Sequence, residues 1–421
     1  MDIEHKKIYG NLIEHYREEY QQKYGSDQWG IEQFLHIKGK YERICSRTTY
    51  YHMRTDRTVN EQIYIDLIRN LGLKYKEFPM IDSALEGVFL ELHSSVLKME
   101  NDKLLRLREH INSLFAEARK YFYYNDVYKL LIFLIELHTD RLRDYSLEER
   151  EHLSNVSFIL TNFDYNLILY SQLVHIVNYT KNYRHLDILF SELPLLDDTS
   201  DPLILYCLLY KYYNTNQLEL GNQVLNKIYS IVPESNTRFL FRVKLQELFY
   251  VYNFDSSRAD SSYQEAYKYI KQHSEIPRRL LKSFHYNYAM HLFSNYRYED
   301  AINTFEEYFK VTDTFNVYAE SNYAMCHVLA KKKIKREYDL DSLDDSNVWP
   351  CILKYCVLKE NNDIEELFGI MEKEIIPNCF KDLPPILLEF VQKETLWLTE
   401  VTKKYKILKS LNIKLIDNLT K

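Results

Sequence analysis

Asn287-Tyr288-Ala289-Met290 recurs as Asn322-Tyr323-Ala324-Met325, 35 residues further along the chain. A period near 34 residues is typical of solenoids built from stacked helical hairpins, in which each repeat packs on its neighbours. Between the two copies, Tyr298–Phe305 has the pattern of the second helix of a tetratricopeptide unit, since the small Ala289 and Ala301 let paired helices approach closely. The repeat therefore predicts an all-α fold.

Weaker echoes of the repeat precede it. Residues 183–190, 218–225 and 263–266 follow the same pattern, and Pro194 and Pro233 come shortly after the first two. From Ile81 onward the chain has the periodicity of successive amphipathic helices. At roughly 34–40 residues each, we expect roughly six to eight helix pairs.

The composition agrees with a helical chain. Only 8 of 421 residues are Gly and 9 are Pro, whereas sheet-rich proteins of this size need many glycines for turns and phosphate loops. Five of the glycines lie in the first 72 residues, which indicates a separate N-terminal unit. The 38 tyrosines are expected to fill gaps between helices, with a tyrosine-lined peptide surface as the alternative.

A second informative stretch lies near the N terminus. Residues 46–55 begin with Ser46, a residue type that caps helix N termini, and continue as Arg47-Thr48-Thr49-Tyr50. Another amphipathic helix follows over residues 63–71 and ends at Gly72. A capped helix with Arg and Thr in its first turn is the arrangement that a helix-turn-helix protein uses to contact DNA. Tyr50 and Met53 are expected to pack inward.

Earlier in the N-terminal stretch, Ile8, Leu12, Tyr16 and Tyr20 repeat every four residues and predict a first helix. Residues 25–30 are expected to form a loop, and a second helix to begin near Ile31.

The charge is uneven. The whole chain carries −7, yet residues 31–60 contain six basic and three acidic residues. Such a local basic patch on an acidic protein suggests an anion site, although an ordinary solvated surface is the alternative.

No targeting or membrane segment is expected. The first residues are charged, and the longest apolar run, residues 203–210, is far too short to span a bilayer. The six scattered cysteines are typical of reduced thiols in a cytosolic protein. We therefore expect a cytoplasmic protein with no membrane partner.

The layout resembles the peptide-pheromone receptors of low-GC Gram-positive bacteria, the Rgg/PlcR/PrgX-like superfamily. The resemblance rests on residues 44–51, on residues 63–73 and on the repeat with Asn287 and Asn322. It implies a helix-turn-helix domain over residues 1–78 and a right-handed tetratricopeptide-like solenoid over residues 79–421. It also implies a homodimer that binds double-stranded DNA under the control of a short signalling peptide.

Two residues depart from the family pattern. Arg43 stands where the family often has Gly, and Arg54 stands where the recognition helix often has an acidic residue. Because the first helix carries Glu14, Glu18 and Glu19, a reversed ion pair with Arg54 is the alternative arrangement.

Candidate DNA contacts are the basic and hydroxyl side chains of this stretch. Arg can read guanine bidentately, and Thr can contact a thymine methyl group or a phosphate. The set is Lys40, Arg43, Ser46, Arg47, Thr48, Thr49, Tyr51, Arg54 and Arg57. For each of them, a solvated surface side chain is the alternative.

Candidate peptide contacts centre on Asn287 and Asn322, which share one phase of the repeat, with Gln246 as an approximate upstream equivalent and His291 as a neighbour. An Asn amide can bind a peptide N–H and C=O together, although it can also bridge adjacent helices. The set is Gln246, Asn287, His291 and Asn322.

Enzyme motifs are missing from the sequence. There is no Gly-rich phosphate loop, no H-E-x-x-H, no C-x-x-C and no G-x-S-x-G, so we expect no catalytic site, no metal site and no cofactor. The alternative function is a tetratricopeptide-like protein-interaction scaffold with a vestigial helix-turn-helix.

Overall fold

The computed structural model describes residues 3–37, 42–55, 57, 59–139, 145–180, 183–340, 343, 347–360, 363–378 and 384–419. Within these ranges the fold is all-α, as predicted, and the one strand-like feature is an isolated antiparallel bridge between His36 and Arg43. No described helix combines the length and the apolar composition that a bilayer crossing requires.

The α-helices are α1 (Ile3–Tyr24), α2 (Ser26–Trp29), α3 (Ile31–Phe34), α4 (Arg47–His52), α5 (Glu61–Asn70), α6 (Pro79–Leu97), α7 (Asn101–Leu114), α8 (Tyr124–His138), α9 (Leu147–Val156), α10 (Phe158–His175), α11 (Arg184–Glu192), α12 (Pro202–Asn214), α13 (Leu218–Ile231), α14 (Thr237–Phe254), α15 (Ala259–Gln272), α16 (Arg278–Ser294), α17 (Tyr298–Lys310), α18 (Val317–Ala330), α19 (Val348–Lys359), α20 (Ile364–Ile370), α21 (Pro385–Thr402) and α22 (Lys406–Leu419). Shorter 3-10 turns lie at Ala118–Lys120, Leu196–Asp198, Ser256–Arg258 and Ile376–Asn378, and π-helical turns at Ile176–Thr180 and Met371–Ile375.

The chain divides into two compact units, Met1–Leu240 and Phe241–Lys421. The sequence places a domain boundary between residues 78 and 79, within the first of these units. That boundary separates a DNA-binding domain from a repeat domain, and it stays a prediction.

The first unit begins with five helices around a small apolar core. Helix α1 packs on α2 and α5, and the core includes Leu12, Phe34, Tyr50, Tyr64 and Leu67. The expected loop over residues 25–30 is wrong, because Ser26–Trp29 forms the short helix α2 between Gly25 and Gly30. Its Trp29 is buried, and the ring packs edge-on against Tyr20, which gives this turn an apolar anchor.

Helix α1 also packs on residues well beyond Gly72. Its Tyr9 ring contacts Phe122 and Tyr123, with ring centroids 5.5 and 5.1 Å apart. Tyr16 Oη donates to the carboxylate of Asp126 on α8 at 3.0 and 2.9 Å. The N-terminal helices and the start of the following helices therefore share one core within the first unit.

The remaining helices of the first unit pack on near neighbours in the sequence. Contacts run from α6 to α7, α7 to α8, α8 to α10, α10 to α12 and α12 to α13, and α6 also contacts α10. Helix α10 is kinked at Asp164, whose backbone is non-helical and whose Oδ1 accepts a hydrogen bond from Leu167 N (2.9 Å). The side chain thereby caps the second half of α10.

The second unit contains the sequence repeat. Asn287 lies on α16 and Asn322 on α18, and α17, which spans the predicted second helix, contacts both. Tyrosine fills gaps between helices here: the Tyr263 and Tyr288 rings stack with centroids 3.8 Å apart, and Tyr288 Oη donates to Asp260 Oδ1 (2.7 Å). At these positions the expected gap-filling role of tyrosine is confirmed.

Several helix ends share one turn geometry. A residue with positive φ follows the helix, and the next N–H bonds to a carbonyl five residues back, which is the Schellman arrangement. This occurs at Met99, Asn216, Tyr296 and Lys331 as well as at the predicted Gly72.

Candidate nucleic-acid interface

Helix α4 is held at its N terminus by Ser46, as the sequence predicts. Ser46 has an extended backbone (φ −72°, ψ 157°), and its Oγ accepts a hydrogen bond from Thr49 N at 3.0 Å. The Thr49 hydroxyl lies 2.8 Å from the same Oγ. Thr49 is therefore half-buried in the cap, and it is less available to DNA than its neighbours.

The two faces of the α4 segment differ in burial. Tyr50 and Met53 point into the core, which confirms that prediction, and Cys45 is buried beside them. The opposite face exposes Ser46, Arg47, Thr48 and Tyr51, with the Tyr51 side chain 41% exposed. The apolar face fixes the orientation of the helix, so the polar face is presented to solvent.

A buried ionic network ties the α4 segment to α1. Glu14 on α1 accepts hydrogen bonds from Arg17 Nε (2.6 Å), Tyr50 Oη (2.5 Å) and Arg54 Nη1 (3.2 Å). The reversed ion pair between the first helix and Arg54 is thus present. Arg17 Nη1 also donates to the Trp29 carbonyl at 2.9 Å, which extends the network to α2.

The network sets the protonation of its members. Burial by itself would raise the pKa of Glu14, but the hydrogen bonds from Arg17 and Tyr50 and the charges of Arg17 and Arg54 outweigh it and lower the pKa. Burial raises the pKa of Tyr50, and the adjacent Glu14 carboxylate raises it further. Glu14 is therefore ionised and Tyr50 neutral at physiological pH.

Two guanidinium groups flank the exposed Tyr51 ring. The Arg54 guanidinium carbon lies 4.9 Å from the ring centroid and that of Arg47 lies 5.8 Å away, within reach of cation–π attraction. Arg47 Nη2 also lies 3.5 Å from Tyr51 Oη. The ring therefore restricts where these positive charges can lie above the helix surface.

The other predicted DNA contacts are partly engaged within the protein. Arg43 donates to Glu32 Oε2 (3.0 Å) and to the Cys45 carbonyl (2.9 Å), so its charge is balanced. Arg57 Nη1 lies 2.8 Å from His52 Nε2, and Arg57 is exposed. Lys40 lies outside the described residues. Arg47 and Thr48 are consequently the most available members of the predicted set.

The predicted peptide contacts lie in the second unit, and most are enclosed by neighbouring helices. The Asn322 side chain is 1% exposed, and its Nδ2 donates to the Tyr318 carbonyl (2.8 Å) and to Tyr286 Oη (3.4 Å). Gln246 and His291 are buried as well, whereas Asn287 is half-buried. The burial of Gln246, His291 and Asn322 favours the alternative in which such side chains bridge adjacent helices, and contact of the four with a peptide stays a prediction.

The sequence did not indicate the full extent of the network around Glu14. The spacing of Glu14 and Arg17 is visible on a predicted helix, but Tyr50 and Trp29 join through tertiary packing that leaves no local signal.

No family model, curated protein or solved structure matches this chain.

Proposed function

We propose that the chain is a cytosolic DNA-binding transcriptional regulator in which α4 is the recognition helix of a helix-turn-helix domain over residues 1–78. The observation that carries the proposal is the exposed face of Ser46, Arg47, Thr48 and Tyr51 on a capped helix whose opposite face is buried. A rigidly held polar face with Arg and Thr can contact phosphates and base edges at once.

In the same proposal, residues 79–421 form a right-handed tetratricopeptide-like solenoid that binds a short signalling peptide and supports a homodimer. The successive contacts of α16, α17, α18 and α19 support stacked helical pairs. A dimer would present two recognition helices to paired half-sites. Peptide binding would regulate the protein only if the peptide binds one conformation more tightly than the other.

The test is a titration of random-sequence duplex DNA with the purified full chain, followed by fluorescence anisotropy over a range of salt concentrations. We expect binding that weakens with salt, and we expect Arg47→Ala combined with Thr48→Ala to weaken it and to reduce the salt slope by about one. Arg106→Ala, an exposed arginine on α7, is the matched control that should leave binding unchanged.

The alternative is a protein-interaction scaffold with a vestigial helix-turn-helix. The pairing of Arg43 with Glu32 and of Arg54 with Glu14 favours it, since both pairs reduce the positive charge available to phosphates. DNA affinity that is absent at low salt, or equal in the Arg47/Thr48 variant and the wild type, would support the scaffold.

A further inference from the structure

Two histidines and a glutamate from distant parts of the first unit converge on one point. His15 and Glu19 lie one turn apart on α1, and His152 lies on α9. Glu19 Oε1 is 3.0 Å from His15 Nε2 and 2.8 Å from His152 Nδ1, and the two nitrogens are 3.4 Å apart. We propose that His15, Glu19 and His152 bind a divalent transition-metal ion of the zinc class.

The separations match those of metal ligands. Tetrahedral ligands about 2.0–2.1 Å from Zn²⁺ lie about 3.3 Å from one another. An ion about 2.05 Å from all three atoms would sit about 1 Å out of their plane, given the three observed separations. The three side chains can therefore occupy one face of a coordination shell and leave a further position open.

A buried carboxylate orients His152 for this role. Asp126 on α8 is fully buried, and its Oδ1 lies 3.1 Å from His152 Nε2. Tyr16 Oη donates to the same carboxylate and fixes its position. A carboxylate on the far nitrogen of a ligand histidine directs the lone pair of the other nitrogen, here Nδ1, toward the metal.

The cluster can be reached from solvent. Glu19 and His152 line a cleft together with Tyr16, Lys129, Glu148 and Glu149. Three carboxylates and one lysine line it, and Glu148 also pairs with Lys23 (3.1 Å), so a net negative charge remains that favours a cation. The cleft gives an ion a path to the cluster and leaves room for a water as the remaining ligand.

The donor set selects the kind of metal. Two imidazoles with one carboxylate suit Zn²⁺ and its transition-metal neighbours, whereas Mg²⁺ and Ca²⁺ prefer oxygen ligands. In the part of the chain that the structure describes, no other group of three His, Cys, Asp or Glu side chains converges in this way. A bound ion would join α1 to α9 and so stabilise the first unit, whether or not α4 binds DNA.

The experiment uses the full chain without an affinity tag, first treated with a chelator and then titrated with Zn²⁺ by calorimetry. We expect one equivalent to bind and the unfolding temperature to rise with Zn²⁺ concentration. Co²⁺ in place of Zn²⁺ should give the visible absorption of a low-symmetry His-ligated site, a readout on the wild-type chain that needs no variant.

His15→Asn and Glu19→Gln each remove one ligand at a partly exposed position. We expect both to weaken Zn²⁺ binding by more than the ~10–100-fold that is typical when a group hydrogen-bonded to a metal ligand is replaced, and Asp126→Asn to fall within that range. His93→Gln is the matched control, because His93 also pairs with two carboxylates of the first unit but is not a member of the cluster. It should bind Zn²⁺ as the wild type does.

Circular dichroism of each variant checks that its helices are retained. Failure of the wild-type chain to bind one equivalent of Zn²⁺ would overturn the proposal. Equal affinity in the wild type, His15→Asn and Glu19→Gln would overturn it as well.

Discussion

At the scale of single residues, Glu14 holds the recognition segment against α1. Its side chain is almost enclosed and accepts hydrogen bonds from Arg17, Tyr50 and Arg54. Removing one member of a buried charge network leaves the others uncompensated and typically costs 3–5 kcal/mol. We predict that Glu14→Gln lowers the free energy of unfolding of the N-terminal helices by about 3 kcal/mol.

The matched control for this change is Glu18→Gln on the same helix. The Glu18 side chain is 57% exposed, and its ion pair with Arg17 is long, at 3.4 Å, so the loss should stay below about 1 kcal/mol. Urea unfolding followed by the fluorescence of Trp29, with Trp349 and Trp397 replaced by Phe in every variant, reports on this region. Equal midpoints for the two glutamine variants would contradict the role of Glu14.

The charge of His93 is expected to make the stability of the first unit depend on pH. Its Nδ1 lies 2.7 Å from Asp164 Oδ2 and its Nε2 lies 3.4 Å from Asp201 Oδ2. Burial would lower the pKa of His93, but the hydrogen bond to Asp164 and the charges of both aspartates raise it above the usual value. Protonated His93 therefore adds stability that is fully present below about pH 6.5 and lost as the pH rises through the folded pKa.

We accordingly predict that the stability difference between wild type and His93→Gln is largest near pH 6 and shrinks toward alkaline pH. Urea unfolding at several pH values measures it. A difference that stays constant from pH 6 to pH 9 would show that the charge of His93 adds nothing.

At the scale of helices and turns, the Schellman ends show what local sequence can and cannot predict. Gly72 is recognisable because glycine is the usual residue at such a turn, and Ser46 is recognisable as a cap. Met99, Tyr296 and Lys331 adopt the same left-handed backbone without a glycine, so nothing in the sequence marks them. The kink at Asp164 is equally hidden, because it depends on an aspartate that caps the second half of its own helix.

Lys331 tests the cost of such a turn. It has φ 56° and ψ 39° and is exposed. Replacing Lys331 by glycine removes about 1–2 kcal/mol of left-handed strain from the folded state. The greater freedom of glycine in the unfolded chain offsets about 0.5–1 kcal/mol of that gain. We predict that Lys331→Gly stabilises the second unit by about 0.5–1 kcal/mol.

The matched control is Lys268→Gly, an exposed lysine inside α15 of the same unit, which should destabilise by about 1 kcal/mol. Fluorescence of Trp349 and Trp397 during urea unfolding, in a shared Trp29→Phe background, compares the two variants. Lys331→Gly should raise the free energy of unfolding and Lys268→Gly should lower it. A loss of stability in both variants would contradict the prediction.

At the scale of the whole molecule, the sequence predicted the helical class and the helices around the repeat, because periodicity and the scarcity of Gly and Pro are summed over many residues. It could not predict burial of the polar Asn322. The Asn322 Nδ2 donates to the Tyr318 carbonyl of its own helix while its Oδ1 is buried without a hydrogen-bond partner among the described residues, so residue type alone does not tell an exposed contact from an enclosed one. Nor could it pair Tyr16 with Asp126, since 110 residues separate them.

Such long-range packing joins α1 to the helices beyond Gly72. Replacing Tyr9 measures how much this packing contributes to stability. Its ring is 3% exposed and packs edge-on against Phe122 and Tyr123. Truncating a buried aromatic side chain to Ala typically costs 3–5 kcal/mol through lost burial and the cavity left behind. We predict that Tyr9→Ala destabilises the first unit by about 3 kcal/mol and speeds amide hydrogen exchange in α8 as well as in α1.

Tyr24→Ala on the same helix is the matched control, since the Tyr24 side chain is 60% exposed and should contribute less than about 0.5 kcal/mol. Faster exchange confined to α1 in Tyr9→Ala would mean that residues 1–78 open independently of the helices that follow. Faster exchange in both α1 and α8, with Tyr24→Ala unchanged, would mean that they open together. In that case a structural change in α8 or its neighbours would be transmitted through α1 to the α4 segment.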